Sequence, residues 1–209
     1  MTRPLDLSIL TMLFVHTSRF RRGKLPHWEV EQGRYFVTVR LGDSLPHATV
    51  GRLREIHREL ASIEAQSAAF AALQRRYFQT MEKYLDAGAG TCLLREDRHA
   101  TAVIEELAAL QEWAVDVPHS TIMPNHYHAL IVPRMECIHS LADIMKRLKG
   151  RTAHRIRQLV PGYEPVWQRE WFDRWIRSEA ESDKVVDYIC QNPVKAGLVA
   201  RWEDHPWTR

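Results

Sequence analysis

Residues 123–133 read MPNHYHALIVP, and the fold turns on them. Alternate residues of a β-strand point to the same face, so His126 and His128 project side by side and Tyr127 points the other way. Just before them HSTIM (119–123) has the makings of a short strand, and Pro124-Asn125 is a turn signal between the two. Two strands joined by so tight a turn predict an antiparallel sheet. Paired imidazoles on one strand face can offer two nitrogen ligands to one metal ion. A chain with eleven histidines also produces such a pair by chance. Two nitrogens leave a divalent ion under-ligated, so a metal site requires a further polar group from another element.

Outward from this hairpin the pattern is mixed. RYFVTVRL (34–41) alternates, is rich in β-branched and aromatic residues, and reads as a strand broken by GDSLP. Residues 47–85 are helical in pattern, with Leu53, Ile56, Leu60 and Ile63 at helical spacing. DAGAG (86–90) is a loop, ATAVIEELAALQEWA (100–114) a helix, and 138–159 a long basic helix. After the turn PGYEP (161–165), VWQREWFDRWI (166–176) reads as strand or extended chain at its start. SEAE (178–181) is a capping box, with Ser178 as N-cap and Glu181 at the reciprocal position. The helix it opens is expected to stop near Asn192, because Pro193 disfavours a helical residue before it. Strands interleaved with helices in this order predict an α+β fold, a ferredoxin-like antiparallel sheet with helices packed on it. An inserted helical segment is expected over about residues 65–112. The chain reads as one domain over 21–209, preceded by an extension (1–20) of no assigned role.

A chain of 209 residues can bury a sizeable core without disulfides or a structural metal. Cys92, Cys137 and Cys190 are isolated and odd in number, which argues against a disulfide framework and a zinc finger and fits a reducing, cytoplasmic setting. The run LSILTMLFVH (7–16) is too short to span a bilayer and makes a poor signal peptide, so no membrane partner is expected. The net charge of +3 says little; its distribution says more. IMKRLKGRTAHRIRQ (144–158) holds six positive residues and no acidic one, which is either a solvated helix face or a polyanion-binding surface.

The last helix offers the missing group. In DYICQNP, Tyr188 and Asn192 sit four residues apart and share a helical face. They are either a core-edge aromatic and a helix cap, or a phenol and an amide oxygen aimed at an ion. A tyrosine can attack a phosphodiester and form a covalent phosphotyrosine, and a neighbouring divalent ion would polarise the phosphate.

At these residues the sequence resembles the single-tyrosine HUH transposases, and within them the REP-associated tyrosine transposases of bacteria. The resemblance is carried by GKLPHWEVEQGRYFVTVRLGDSLP (23–46), YLDAGAGTCLL (84–94), MPNHYHALIVP (123–133), VWQREWFDRWIR (166–177) and VVDYICQNPVKAGLV (185–199). It implies the HUH endonuclease fold and a metal-dependent enzyme that nicks and joins single-stranded DNA beside palindromic hairpins. His126 and His128 match the family's histidine pair and Tyr188 its nucleophile, which keeps a 5′-phosphotyrosine and releases a 3′-hydroxyl. Asn192 falls where relatives carry a third ligand, and the implied ion is Mg²⁺ or Mn²⁺. Pro118 and Asp116 stand where relatives run a more continuous strand, which predicts a shortened strand beside the histidines. Lys146, Lys149, Arg151 and Arg155 are expected to contact phosphates, with Arg169 and Arg174 joining tryptophans on unpaired bases. A monomer or homodimer associated with the bacterial nucleoid is implied. Two rival readings are a hairpin-binding protein without catalysis and a metal-dependent phosphoesterase that activates water.

Overall fold

The computed structural model describes residues 17–22, 26–30, 32–64 and 67–209. The apolar run at 7–16 and most of the expected extension lie outside them. Strand β1 (Thr17–Arg22) pairs antiparallel with β2 (Pro26–Val30) as a separate two-stranded sheet.

The main sheet is built on β3 (Arg34–Arg40) and β6 (His126–Pro133), its two central strands. β7 (Phe172–Ile176) pairs with the other edge of β3. β4 (Val115–Asp116) and β5 (Ser120–Met123) lie in succession along the far edge of β6. All pairings are antiparallel. The strand before the histidines is thus split at residues 117–119, as Pro118 predicted: proline has no N–H to give to a ladder. The C-terminal residues cover the edge that remains, where Ser120 and Arg209 exchange backbone hydrogen bonds.

Two helices, α3 (Asp97–Ala108) and α4 (Leu141–Leu159), make the crossovers of a ferredoxin-like β-α-β-β-α-β unit running β3, α3, β5, β6, α4, β7. They pack on the sheet face formed by Tyr35, Val37, Val39, Tyr127, Ala129 and Ile131. The opposite face, with Phe36, Leu130, Phe172 and Ile176, is covered by three other helices. These are α1 (His47–Ser62), α2 (Ala68–Asp86) and α5 (Glu179–Lys195). Both faces of β3 are therefore buried, which explains why RYFVTVR is apolar at consecutive positions.

Residues 47–85, read as one helical stretch, fold as two packed helices broken before Ser67, whose hydroxyl caps α2 by accepting from the Phe70 amide at 3.0 Å. The expectation that the last helix ends at Asn192 is corrected: α5 continues through Pro193 to Lys195. Proline removes one bond to the preceding turn, and here that loss falls in the final turn, where Ala196 and Gly197 amides still bond Asn192 and Val194 carbonyls. The capping box at Ser178 is half formed. Its hydroxyl accepts from the Glu181 amide at 3.2 Å, whereas the Glu181 carboxylate accepts from the Arg177 amide at 3.0 Å. No helix among the described residues is long and apolar enough to cross a membrane.

Candidate active site

His126 and His128 lie fully buried at the α2–α5 face of β6. Each ring is fixed through its Nδ1. Asn125 donates from Nδ2 to the carbonyls of Ala89 (2.8 Å) and Leu85 (3.3 Å). Its Oδ1 is thereby oriented as an acceptor, 2.8 Å from His126 Nδ1, so His126 carries its proton there. Thr38 Oγ1, across the ladder on β3, lies 2.8 Å from His128 Nδ1. The two Nε2 atoms then meet at 3.1 Å. Two such nitrogens cannot both present lone pairs at that distance unless a proton or a cation lies between them.

A carboxylate completes the group. Glu82, on α2, is buried, and its Oε2 lies 3.5 Å from His128 Nε2. Glu82, His126 and His128 together offer three donor atoms within 4.8 Å of one another, a set that could hold a metal ion. Burial opposes the ionised form of Glu82, but the neighbouring histidines and the Tyr188 hydroxyl outweigh it and hold its pKa down at about 2. Burial, reinforced by His128, lowers the His126 pKa to about 3. Carboxylate and neutral imidazole are the forms that bind metals. Two buried oxygens here, Glu82 Oε1 and Asn192 Oδ1, have no hydrogen-bond partner among the described residues. Unpaired buried acceptors are costly and fit a cation as the missing partner.

Tyr188 reaches this group from α5. Its hydroxyl donates to Glu82 Oε2 and accepts from Asn192 Nδ2 at 3.2 Å. The ring stands edge-on to Phe36 and Phe78, with centroids 5.7 and 5.6 Å away, and 5.3 Å from His128. Lys195 sits over the ring and binds Asp86 at 2.7 Å, tying α5 to the end of α2. Burial first, and then the Glu82 charge, push the phenol pKa far up, so Tyr188 is protonated in this arrangement. Arg40, the register partner of His126, lies on the strand that also supplies Thr38. Burial lowers its pKa to about 10, and it has no carboxylate partner among the described residues.

The structure thus brings His126, His128, Tyr188 and Asn192 together and adds Glu82, Asn125 and Thr38. Glu82 had a legible signal, a carboxylate one turn beyond Phe78 on a helix face that also carries Met81 and Leu85. The cations of α4 lie elsewhere, across the sheet on the α3–α4 side. Arg151 and Arg155 pair with Glu106, Arg155 also with Glu105, and Lys149 donates to the carbonyls of Gln168 (2.7 Å) and Arg169 (2.6 Å). Lys146 lines a shallow surface depression with Trp113 and His139. Arg169 is exposed, and Arg174, on β7, pairs with Glu181. Trp167 is buried in the core, its Nε1 donating to Thr152 at 2.9 Å.

Residues 95–192, just under half of the chain, match the family described as IS200-like transposases. No curated protein matches the sequence. Among solved structures, a REP-associated tyrosine transposase bound to a REP hairpin is similar with a TM-score of 0.51 and 18% identity, covering 91% of this chain and 81% of that one. At that identity the likeness establishes the fold. Residues 95–192, which hold His126, His128, Tyr188 and Asn192, are thus similar to the IS200-like transposases, and the chain shares the fold of a REP-associated tyrosine transposase.

Proposed function

We propose that this protein is an endonuclease and strand transferase acting on single-stranded DNA at hairpin-forming repeats, through a 5′-phosphotyrosine on Tyr188. The observation that carries the reading is the meeting of the Tyr188 hydroxyl, Glu82 and the paired histidines in one buried group. A phenol buried in an aromatic wall beside metal-type donors suits phosphoryl transfer better than a structural role. The solved structure with a bound hairpin supports the choice of DNA substrate.

In the reaction the Tyr188 oxygen attacks phosphorus and gives up its proton, the bond from phosphorus to the 3′-oxygen breaks, and that oxygen takes up a proton and leaves as a 3′-hydroxyl. The hydrogen bond to Glu82 Oε2 aims the phenol and gives its proton an acceptor. Asn192 holds the hydroxyl from the other side. Rejoining reverses the step, with an incoming 3′-hydroxyl attacking the phosphotyrosine. Ionising Tyr188 beside an uncompensated carboxylate is unfavourable, so the site requires added positive charge. His126, His128 and Glu82, with the free oxygen of Asn192, would hold Mg²⁺ or Mn²⁺, which supplies that charge and stabilises the phosphate in the transition state. Arg40 is a second source of charge on the strand beside the histidines.

The test is incubation of a labelled hairpin oligonucleotide with the protein and Mg²⁺ or Mn²⁺. A protein-linked label that is lost in Tyr188→Phe is expected. Cleavage that survives Tyr188→Phe supports a water-activating phosphoesterase instead, and binding without cleavage supports a hairpin binder.

A further inference from the structure

Beside Tyr188 the space between α2 and α5 opens into a cavity of about 380 Å³. That volume falls within the roughly 300–1,000 Å³ of small-molecule sites. Its α2 wall is Ala71, Gln74, Arg75 and Phe78, spaced at i, i+3, i+4 and i+7, and one turn further along the same face stands Glu82. Its α5 wall is Glu181, Lys184, Val185 and Tyr188, again one helix face. Phe36 and Phe172 of the sheet form the floor. The two helix faces thus frame a slot whose inner end is the nucleophile and its carboxylate partner.

The lining is unusual in combining aromatic rings with arginine. Phe78 and Phe172 lie 4.8 Å apart between centroids, and Arg177 stacks 5.0 Å over Trp175 at the rim. Arg75, Arg174, Arg177 and Lys184 face a single carboxylate, Glu181, which pairs with Arg174. Aromatic faces hold unpaired bases by stacking, and the surrounding cations suit the phosphates on either side. Gln74 offers an amide that can address a base edge.

We infer that this cavity receives the unpaired base of one nucleotide flanking the phosphate that Tyr188 attacks. Seating that base anchors the strand next to the hydroxyl and draws the scissile phosphate to it. The inference rests on the proposed function and is tested separately from it.

The probe is a set of three hairpin oligonucleotides: one intact, and two carrying an abasic residue on either side of the cleaved linkage. The readout is the rate of covalent adduct formation. With the natural chain, one of the two abasic substrates is expected to react at least about tenfold more slowly than the intact one, the scale of one lost stacking contact. Ala71→Trp places an indole in the cavity. This variant is expected to react with the intact oligonucleotide at the slow rate and to lose discrimination, with the abasic and intact rates within about twofold. Its retained slow reaction also reports that it is folded. Should Ala71→Trp give no adduct at all, Gln74→Trp, from the same wall, takes its place. Equal rates for all three oligonucleotides with the natural chain overturn the base pocket and leave the proposed function standing. Full discrimination retained by the plugged variant also overturns it. No adduct with any oligonucleotide overturns both.

Discussion

The Tyr188 hydroxyl donates its hydrogen bond to Glu82, a residue 106 positions earlier on a helix that packs beside its own. This contact joins the proposed nucleophile to the metal-type donors on β6, because the same Glu82 oxygen lies 3.5 Å from His128. It does not by itself hold α5 in place. A hydrogen bond contributes about 1 kcal/mol net, whereas burying an aromatic ring contributes roughly 1.5–3 kcal/mol. Tyr188→Phe keeps the ring against Phe36 and Phe78, so the variant is expected to fold, to lose stability on the order of 1–2 kcal/mol, and to form no covalent adduct. Urea unfolding and adduct assays on the same sample check both parts.

Metal affinity depends on the groups behind the histidines. Thr38→Val keeps the shape of the side chain but removes the partner of His128 Nδ1, and Asn125→Ala releases His126. Each is expected to weaken Mn²⁺ binding by about 10- to 100-fold, measured calorimetrically. Asn125→Ala also frees the Ala89 and Leu85 carbonyls, so it is expected to lower stability more than Thr38→Val does.

Acid unfolds the site in a defined direction. The His126 pKa is depressed from 6.5 to about 3, so its neutral form stabilises the fold above pH 6.5 and that contribution is lost as pH falls toward 3. The Glu82 pKa is depressed from 4.5 to about 2, so its contribution is present above pH 4.5 and disappears as pH falls toward 2. Both slopes have the same sign. Without metal, the free energy of unfolding is expected to drop by several kcal/mol between about pH 6.5 and 3. His126→Asn is expected to flatten the upper part of that curve.

How much of this was legible in the sequence differs by residue. The β-hairpin at 120–133 and the face shared by His126 and His128 follow from period-2 alternation, and Tyr188 and Asn192 share a face by helical spacing. Glu82 offered one signal, a carboxylate on the helix face of Met81 and Leu85, but its place beside Tyr188 comes from tertiary contacts, among them those of Phe78 with Phe36 and Tyr188. The basic run 144–158 reads as unneutralised for the same reason. Its neutralising carboxylates, Glu105, Glu106 and Glu112, belong to another segment that the fold lays beside it. Pro193 obeyed a local rule only weakly because it falls in the last turn of α5.

The distribution of charge predicts which face meets DNA. Arg155→Ala, on α4, is expected to change hairpin affinity less than twofold and to destabilise the fold, because it leaves the buried Glu106 with one partner fewer. Lys184→Ala and Arg75→Ala, beside Tyr188, are each expected to lower affinity several-fold and to reduce the slope of log affinity against log salt by about 1. Fluorescence anisotropy across a salt series separates the two faces.

Tyr188 is expected to become covalently attached to DNA beside a cation held by Glu82, His126 and His128. The most direct measurement is mass spectrometry of the protein after incubation with a hairpin oligonucleotide and Mn²⁺, followed by peptide mapping of the adduct. One adduct per chain is expected, located on the peptide bearing Tyr188, absent with a chelator and reduced at least about 100-fold in Glu82→Ala, the scale of a lost transition-state interaction. An adduct on another residue, or DNA cleavage in Mn²⁺ with no adduct on Tyr188 at any time, would contradict this expectation.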